Sequence, residues 1–437
     1  MDRTLFRDRA EAGRELASSL QSYADFNPVI IGLPRGGLVV AREVAQAMGA
    51  PLDIVVVRKI GHPDQPEYGI GAVSEEEFHW FDESALASVS IEPRILERML
   101  KREADEVRRR AALYRSDRPP LPLDGRTVIL VDDGLATGVS ARAAIHEVEG
   151  RGAARVILAV PVASPKGVAD FRREGVVDEI VTIVEPDPFY AVGDSYVDFS
   201  QTSDDEVVEI LSRYPRVIDA AIQAADGVQL PCTLTVPPSP HGVVVFAHGS
   251  GSGRFSPRNR KIAHDLIARG FATLLFDLLA ENEARFKGNV FDIQLLAGRL
   301  LAATRWVREV RETRGLPVGY FGASTGAAAA LTAAGDPRSG VAAIVSRGGR
   351  VDLSPVTRHG GRRLVPPTLL IVGGEDDIVI ELNRWAMARL PHADLRIIQG
   401  AGHLFEEPGA MEQVSRLTLE WFATHLLREA PSGRRAA

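Results

Sequence analysis

The sequence predicts an α/β fold in two domains, each built on a largely parallel sheet flanked by helices. Three observations carry this. The chain has 437 residues, more than one hydrophobic core usually spans. Short runs rich in valine, isoleucine and leucine alternate with amphipathic stretches, the pattern of parallel strands covered on both faces. The alternation runs to about residue 200, pauses, and starts again near residue 219.

In the first half, PVIIGL (28–33), DIVVVR (53–58), TVILVDD (127–133), RVILAV (155–160) and EIVTIV (179–184) are the expected strands. Residues 91–120 read as one long charged helix ended by Pro119 and Pro120, either a hood over a site or a solvated helix. Residues 203–217 read as a linker helix. The second half repeats the alternation at 219–224, 230–236, 243–248, 272–277, 318–322, 342–346, 368–374 and 395–400. The expected domains are therefore 1–202 and 218–430, and the tail 431–437 is expected to be disordered.

Composition is that of a globular protein, 45% hydrophobic and 25% charged, and the net charge of −7 argues against non-specific nucleic-acid binding. Cys232 is the only cysteine, which excludes an intrachain disulfide and a cysteine-based zinc site. No histidine spacing suits a metal, so no protein-bound metal is expected. The N-terminus has no apolar signal core, and no run approaches the roughly 18 apolar residues of a membrane span. The expectation is a cytoplasmic protein acting on small molecules, without nucleic-acid or membrane partners, with a homodimer left open.

Residues 128–144 read VILVDDGLATGVSARAA. A buried strand ends in Asp132 and Asp133, and a small-residue loop then opens a helix. Backbone N–H groups of Ala136, Thr137, Gly138, Val139 and Ser140, the Thr137 and Ser140 hydroxyls and the helix N-terminus suit a phosphate. Gly134 and Gly138 allow the tight turn. Two other strand ends carry cations: IIGLPRGG presents Arg35 and Gly36, and VVVRKIG presents Arg58 and Lys59. Arginine there offers bidentate contacts to a polyanion.

The VDD-x-x-x-TG-x-S segment resembles the signature of the type I phosphoribosyltransferases, which use phosphoribosyl pyrophosphate. The resemblance covers roughly 200 residues. It implies that the loop after the acids wraps the 5-phosphate while Asp132 and Asp133 face the ribose hydroxyls. It also implies a pyrophosphate loop at Arg35–Gly36, a mobile flap after Arg58 and Lys59, and Mg²⁺ as companion of the substrate. VEPDPFYAVGDSYVDF (184–199) is similar to a purine-binding segment, with Phe189 or Tyr190 stacking on a base. Hypoxanthine–guanine enzymes carry an acid where this chain has Ala136, and a positioned base is worth roughly 10²–10⁴ in rate. The ATG spelling is nearer the adenine enzymes. A second reading follows, in which the first half senses phosphoribosyl pyrophosphate or a nucleotide and regulates the second.

GYFGASTGAAAALTAA (319–334) sets Ser324 between a strand and a helix, with Gly322 and Gly326 beside it. This is a nucleophile elbow, which needs small neighbours. Acid and histidine follow in order: Asp376 or Asp377 after one strand, with the spacing from Gly373 favouring Asp376, and His403 after the last. Such a histidine takes the serine proton while the acid orients it. Backbone N–H groups of Ser250, in FAHGSGSG, and of Thr325 are the expected oxyanion donors. This half resembles the dienelactone hydrolase-like branch of the α/β-hydrolases over about 200 residues. Dienelactone hydrolase uses a cysteine nucleophile, so Ser324 implies a general ester or thioester hydrolase. Residues 346–364 add Arg347, Arg350, Arg358, Arg362 and Arg363, read as a pocket for an anionic substrate or as a solvated basic loop.

Overall fold

The computed structural model describes residues 5–62, 69–76, 78–83, 86, 91–116, 118–225, 227–359 and 365–427. The chain splits into two compact units, Met1–Tyr214 and Pro215–Ala437.

The first unit has five parallel strands in the order β2-β1-β6-β7-β8. These are β1 (Val29–Gly32), β2 (Leu52–Ile54), β6 (Thr127–Val131), β7 (Arg155–Val162) and β8 (Glu179–Val184). β1, β2 and β6 are buried along almost their whole length, as their apolar runs require. Counted within this sheet the order is 2-1-3-4-5, which reverses direction between β1 and β6. Open α/β sheets bind ligands at the carboxyl ends of the strands flanking such a reversal. The loops bearing Arg35 and the acid pair both start there.

The run 53–58 is not a single strand. β2 stops at Ile54, and Val56 N–H donates to Glu75 Oε1 at 2.7 Å instead of continuing the ladder. Arg58 opens β3 (Arg58–Gly61), which pairs antiparallel with β4 (Gly69–Val73), itself paired with β5 (His79–Phe81). This small sheet packs on the helix Val139–Gly150: Trp80 and Val57 close over Ala72, Val139 and Ala143. The rest of the expected flap, 63–68, lies outside the described residues.

The long charged helix spans Pro93–Arg115 and is not wholly solvated, since Glu103, Ala104, Val107, Tyr114 and Arg115 are buried. Residues expected as linker form the helix Asp204–Ser212, whose Val207, Ile210 and Leu211 join the first unit's core. Arg115 is the polar centre of that core. Its guanidinium meets Asp53 at 2.9 Å, Glu75 and the Ile54 carbonyl, while Asp53 also accepts Leu121 N–H at 2.7 Å.

The second unit has eight strands in the order β16-β15-β14-β13-β11-β12-β10-β9. They are β9 (Arg216–Gln223), β10 (Gln229–Val236), β11 (Gly242–Ala247), β12 (Phe271–Phe276), β13 (Val318–Ala323), β14 (Ala343–Arg347), β15 (Thr368–Gly373) and β16 (Ala393–Ile398). β9, β10 and β12 pair antiparallel, and the other neighbours pair parallel. Read from β9 the order is 1-2-4-3-5-6-7-8, the α/β-hydrolase arrangement, and the reversal falls between β11 and β13. Among the described residues no helix is long and apolar enough to cross a membrane. The expected disordered tail, 431–437, lies outside them.

Removing one partner of a buried ion network strands the others without compensation. Arg115→Met should therefore lower the first unit's unfolding free energy by about 3–5 kcal/mol in urea titration. A loss under about 1 kcal/mol, the range of exposed pairs, would mean that the network does not hold this core.

Candidate functional sites

At the switch point of the first unit, β6 delivers Asp132 and Asp133 beside the loop after β1. The approach is close. A Cβ on Gly36 would lie 2.1 Å from Asp133 Oδ2, and one on Gly37 would lie 2.6 Å from Asp132 Oδ1. At Gly37 the Asp132 Cα would also lie 2.8 Å away, so backbone enforces glycine there, whereas at Gly36 a side chain would displace Asp133 and Arg9 from each other; the helix Gly36–Met48 starts at this point. The Pro34–Arg35 peptide is cis.

The acids are held from segments far away in sequence. Arg9 Nε donates to Asp133 Oδ2 at 2.7 Å, Arg9 Nη1 donates to the Ser200 carbonyl at 2.7 Å, and its guanidinium lies 3.9 Å from the Phe199 ring centroid. Tyr196 OH donates to the Asp133 carbonyl at 2.7 Å. Asp133 N–H donates to Asp132 Oδ1 at 2.8 Å. Asp132 keeps part of its area open, yet burial, with Asp133 beside it, pushes its carboxyl well above the usual range.

The loop at 134–138 is braced from below. Ser164 Oγ donates to the Ala136 carbonyl at 2.7 Å and accepts Gly167 N–H at 3.0 Å, so one hydroxyl also caps the helix Pro165–Glu174. Arg142 Nη1 donates to the Thr137 carbonyl at 2.9 Å, with its guanidinium between Glu174, Phe171 and Trp80. Gly138 takes φ 74°, and the helix Val139–Gly150 has no side-chain cap, so its first N–H groups stay available to an anion. Ala136 and Thr137 are exposed and Ser140 is half-buried.

The other expected residues are placed less directly. Arg35 Nη1 lies 3.8 Å from Asp204 Oδ1, and Arg58 pairs with Glu103 at 3.0 Å. Lys59 is exposed and lies over Gly69. Among the described residues neither Arg58 nor Lys59 has a hydrogen bond or ion pair with the acid pair. Phe189 packs in a side cluster with Phe6, Tyr196 and Val192, whereas Tyr190 is 75% exposed. Sequence reasoning missed Arg9 and Tyr196, whose only signal was a charged N-terminal helix and an aromatic-rich segment near residue 196.

In the second unit Ser324 sits at the tip of β13 with φ 50° and ψ −119°, a strained conformation for a residue with a Cβ. Three backbone bonds hold it, each at 3.1 Å: its N–H donates to the Arg347 carbonyl, and its carbonyl accepts the N–H groups of Arg350 and Ala327. A Cβ on Gly326 would lie 2.1 Å from the Ala247 carbonyl oxygen, and one on Gly322 would lie 2.5 Å from Ala327 Cα. The Thr325–Ala334 helix has no side-chain cap.

His403 Nδ1 lies 2.6 Å from Asp376 Oδ2. The carboxylate accepts, so Nδ1 carries the hydrogen and Nε2 has the free lone pair. Asp377 is the exposed first residue of the following helix. No hydrogen bond joins Ser324 Oγ to His403 among the described residues; such bonds commonly tighten only when substrate arrives. Ser250 N–H is engaged, donating to Thr325 Oγ1 at 3.0 Å. His248, to which sequence reasoning gave no role, fixes this loop: Leu278 N–H donates to Nε2 at 3.0 Å, so Nδ1–H donates to the Gly249 carbonyl at 3.0 Å. Burial lowers its pKa and keeps the ring neutral.

The arginines of 346–364 have separate fates. Arg350 makes a bidentate pair with Asp352 at 2.9 Å, Arg358 Nε donates to the Asp352 carbonyl at 2.8 Å, and Arg347 is buried. Arg362 and Arg363 lie outside the described residues. Among those residues no three His, Cys, Asp or Glu side chains gather as a metal-ligand set.

Comparison with known proteins gives the family. The phosphoribosyl transferase domain model matches residues 6–190. A Mycobacterium tuberculosis H37Rv protein provisionally named a phosphoribosyl transferase is 48% identical over 446 residues, covering 98% of this chain and 100% of that protein. The chain belongs to the phosphoribosyl transferase family. Solved structures similar to part of it include the dienelactone hydrolase from Anabaena variabilis, 47% identical, covering 48% of this chain and 99% of that one with a TM-score of 0.46. TT1426 from Thermus thermophilus is 45% identical, covering 47% and 97%, with a TM-score of 0.42.

A carboxyl whose folded-state pKa is raised weakens the fold above its unfolded value, near 3.9, and the penalty is complete above the folded value. Asp132→Asn should thus raise the thermal midpoint at pH 8, with the gain fading toward pH 4. An equal gain at both pH values would mean that Asp132 is not the group titrating.

Proposed function

We propose that the chain is a two-site enzyme: the first unit transfers a phosphoribosyl group from phosphoribosyl pyrophosphate to a nucleobase-like acceptor, and the second hydrolyses esters or thioesters through Ser324. For the first reaction the supporting observation is the Gly36–Gly37 loop lying against the acid pair, with an uncapped helix N-terminus beyond. The Ala136–Ser140 loop would take the 5-phosphate, and Asp132 would accept a ribose hydroxyl and stabilise positive charge at the anomeric carbon. Arg35 would leave Asp204 for the pyrophosphate. Asp132 offers one hard oxygen ligand, so Mg²⁺ would arrive bound mainly by the substrate's own oxygens and supply charge neutralisation.

For the second reaction the support is the Asp376–His403 pair at 2.6 Å together with the strained backbone of Ser324. Ser324 Oγ would attack the acyl carbon as His403 Nε2 takes its proton, and the Thr325 N–H would face the oxyanion. A fluorophosphonate probe should label the wild type and should fail on Ser324→Ala and His403→Ala. Asp376→Asn should lower kcat by about 10⁴, because the ring would lose its tautomer. Labelling that persists in Ser324→Ala would remove the serine from the scheme.

Ala136 supports a second reading of the first unit, a phosphoribosyl pyrophosphate or nucleotide sensor, since no acid stands at that position. Pyrophosphate release from phosphoribosyl pyrophosphate across a panel of purine and pyrimidine bases separates the two. Release with at least one base, abolished in Asp132→Asn, is the outcome expected of the transferase. Binding without release for every base would favour the sensor.

A further inference from the structure

The proposed transfer gives no task to the two chain segments that close over the acid pair. Residues 6–9 and 195–200 of the first unit run side by side, with a parallel bridge between Phe6 and Tyr196. Phe6 N–H donates to the Ser195 carbonyl at 2.9 Å, and Val197 N–H donates to the Phe6 carbonyl at 2.8 Å. Asp198 N–H donates to the Arg7 carbonyl at 2.9 Å. The rings of Phe6 and Tyr196 lie 5.6 Å apart, and Tyr196 stacks on Phe199 at 4.9 Å. Arg9 completes this clasp by bonding to Ser200, 191 residues away in sequence.

Both segments converge on Asp133. Arg9 Nε holds its carboxylate and Tyr196 OH holds its carbonyl, each at 2.7 Å. The ion pair is largely shielded, with the Arg9 and Asp133 side chains 11% and 18% exposed. Val192 packs on the next residue, since a Cβ on Gly134 would lie 2.3 Å from its Cγ1. Asp133 N–H in turn donates to Asp132 Oδ1 at 2.8 Å, so a fixed Asp133 also fixes its neighbour. No group donates to Asp132 Oδ2 among the described residues, which leaves that oxygen to accept from a ligand.

We infer that Arg9 and Tyr196 are positioning residues, which act through Asp133 to orient the Asp132 carboxylate for a ribose hydroxyl. Their role rests on the ribose contact proposed for Asp132. Without the clasp the Asp133 backbone is free to turn, and the N–H that orients Asp132 turns with it. A hydrogen bond weakens steeply with misalignment, so hydroxyl recognition is the first property lost. The neighbouring loop is braced separately, by Ser164 at the Ala136 carbonyl and Arg142 at the Thr137 carbonyl. Affinity for the 5-phosphate therefore does not depend on the clasp.

Calorimetric titration of the full chain with ribose 5-phosphate and its 2-deoxy and 3-deoxy analogues tests this, because each analogue lacks one hydroxyl. A hydrogen bond to a charged group makes the wild type favour ribose 5-phosphate over at least one analogue by roughly tenfold or more. In Arg9→Gln and Tyr196→Phe that preference should fall toward parity, while affinity for the disfavoured analogue stays near the wild-type value. Arg9→Lys, which keeps the charge, should recover part of the preference. Tyr196→Phe retains the ring in its cluster and carries the test if Arg9→Gln does not fold. In an Asp133→Asn background, Arg9→Gln should cost nothing further. A wild-type preference in the folded variants overturns the inference, as does an additive loss in the double variant. Equal weakening for all three sugars marks a merely structural role and also overturns it. A wild type that binds the three sugars equally, or none of them, instead removes the ribose contact of Asp132 and the inference with it.

Discussion

Both sites depend on one steric constraint: a helix begins so close to the end of a parallel strand that no side chain fits between them. In the first unit a Cβ on Gly37 would meet Asp132 Oδ1 at 2.6 Å, and in the second a Cβ on Gly326 would meet the Ala247 carbonyl at 2.1 Å. Contacts below 3.0 Å are essentially never tolerated, so the turn exists only with glycine there. The gain is positional. Backbone N–H groups arrive at a strand's carboxyl end with their direction already set, and a ligand's negative charge meets them without reorganisation.

The same constraint creates an electrostatic problem in the first unit, where two carboxylates share the switch point with a loop suited to phosphate. Arg9 compensates Asp133 at 2.7 Å, and burial keeps Asp132 inclined to hold its proton. The charge of Arg9 offsets that of Asp133, so the pair presents a weaker negative field to the neighbouring loop than two bare carboxylates would. Arg9 also ties the N-terminal helix to Ser200 and Phe199. Charge balance and local order at this edge thus rest on the same side chain.

What was legible in the sequence follows the range of the interaction responsible. Buried parallel strands announce themselves by local composition, so most were placed to within a residue or two. The elbow and the acidic pair are local spellings forced by backbone geometry, and they too could be read. The run 53–58 misled because its apolar content continues past the point where Glu75 captures Val56 N–H, an event decided 19 residues away. Arg9 sits 124 residues from the carboxylate it holds, beyond any periodicity. The same is true of the partners that divide Arg347, Arg350 and Arg358 among three environments, although in sequence they look like one basic run.

The Ser250 N–H shows how a filled hydrogen bond can still serve the proposed hydrolysis. Its bond to Thr325 Oγ1 is neutral on both sides, and such a bond contributes about 1 kcal/mol net. An oxyanion donor is worth ~3 kcal/mol in the transition state. Before charge develops on the substrate oxygen, the hydroxyl of Thr325 competes on equal terms and the donor stays where it is. Were a tetrahedral oxyanion to form in the proposed reaction, exchange would be favourable by the difference. A donor that switches partner only at that moment stabilises the transition state and not the bound ester, which is the condition for raising kcat instead of merely lowering KM.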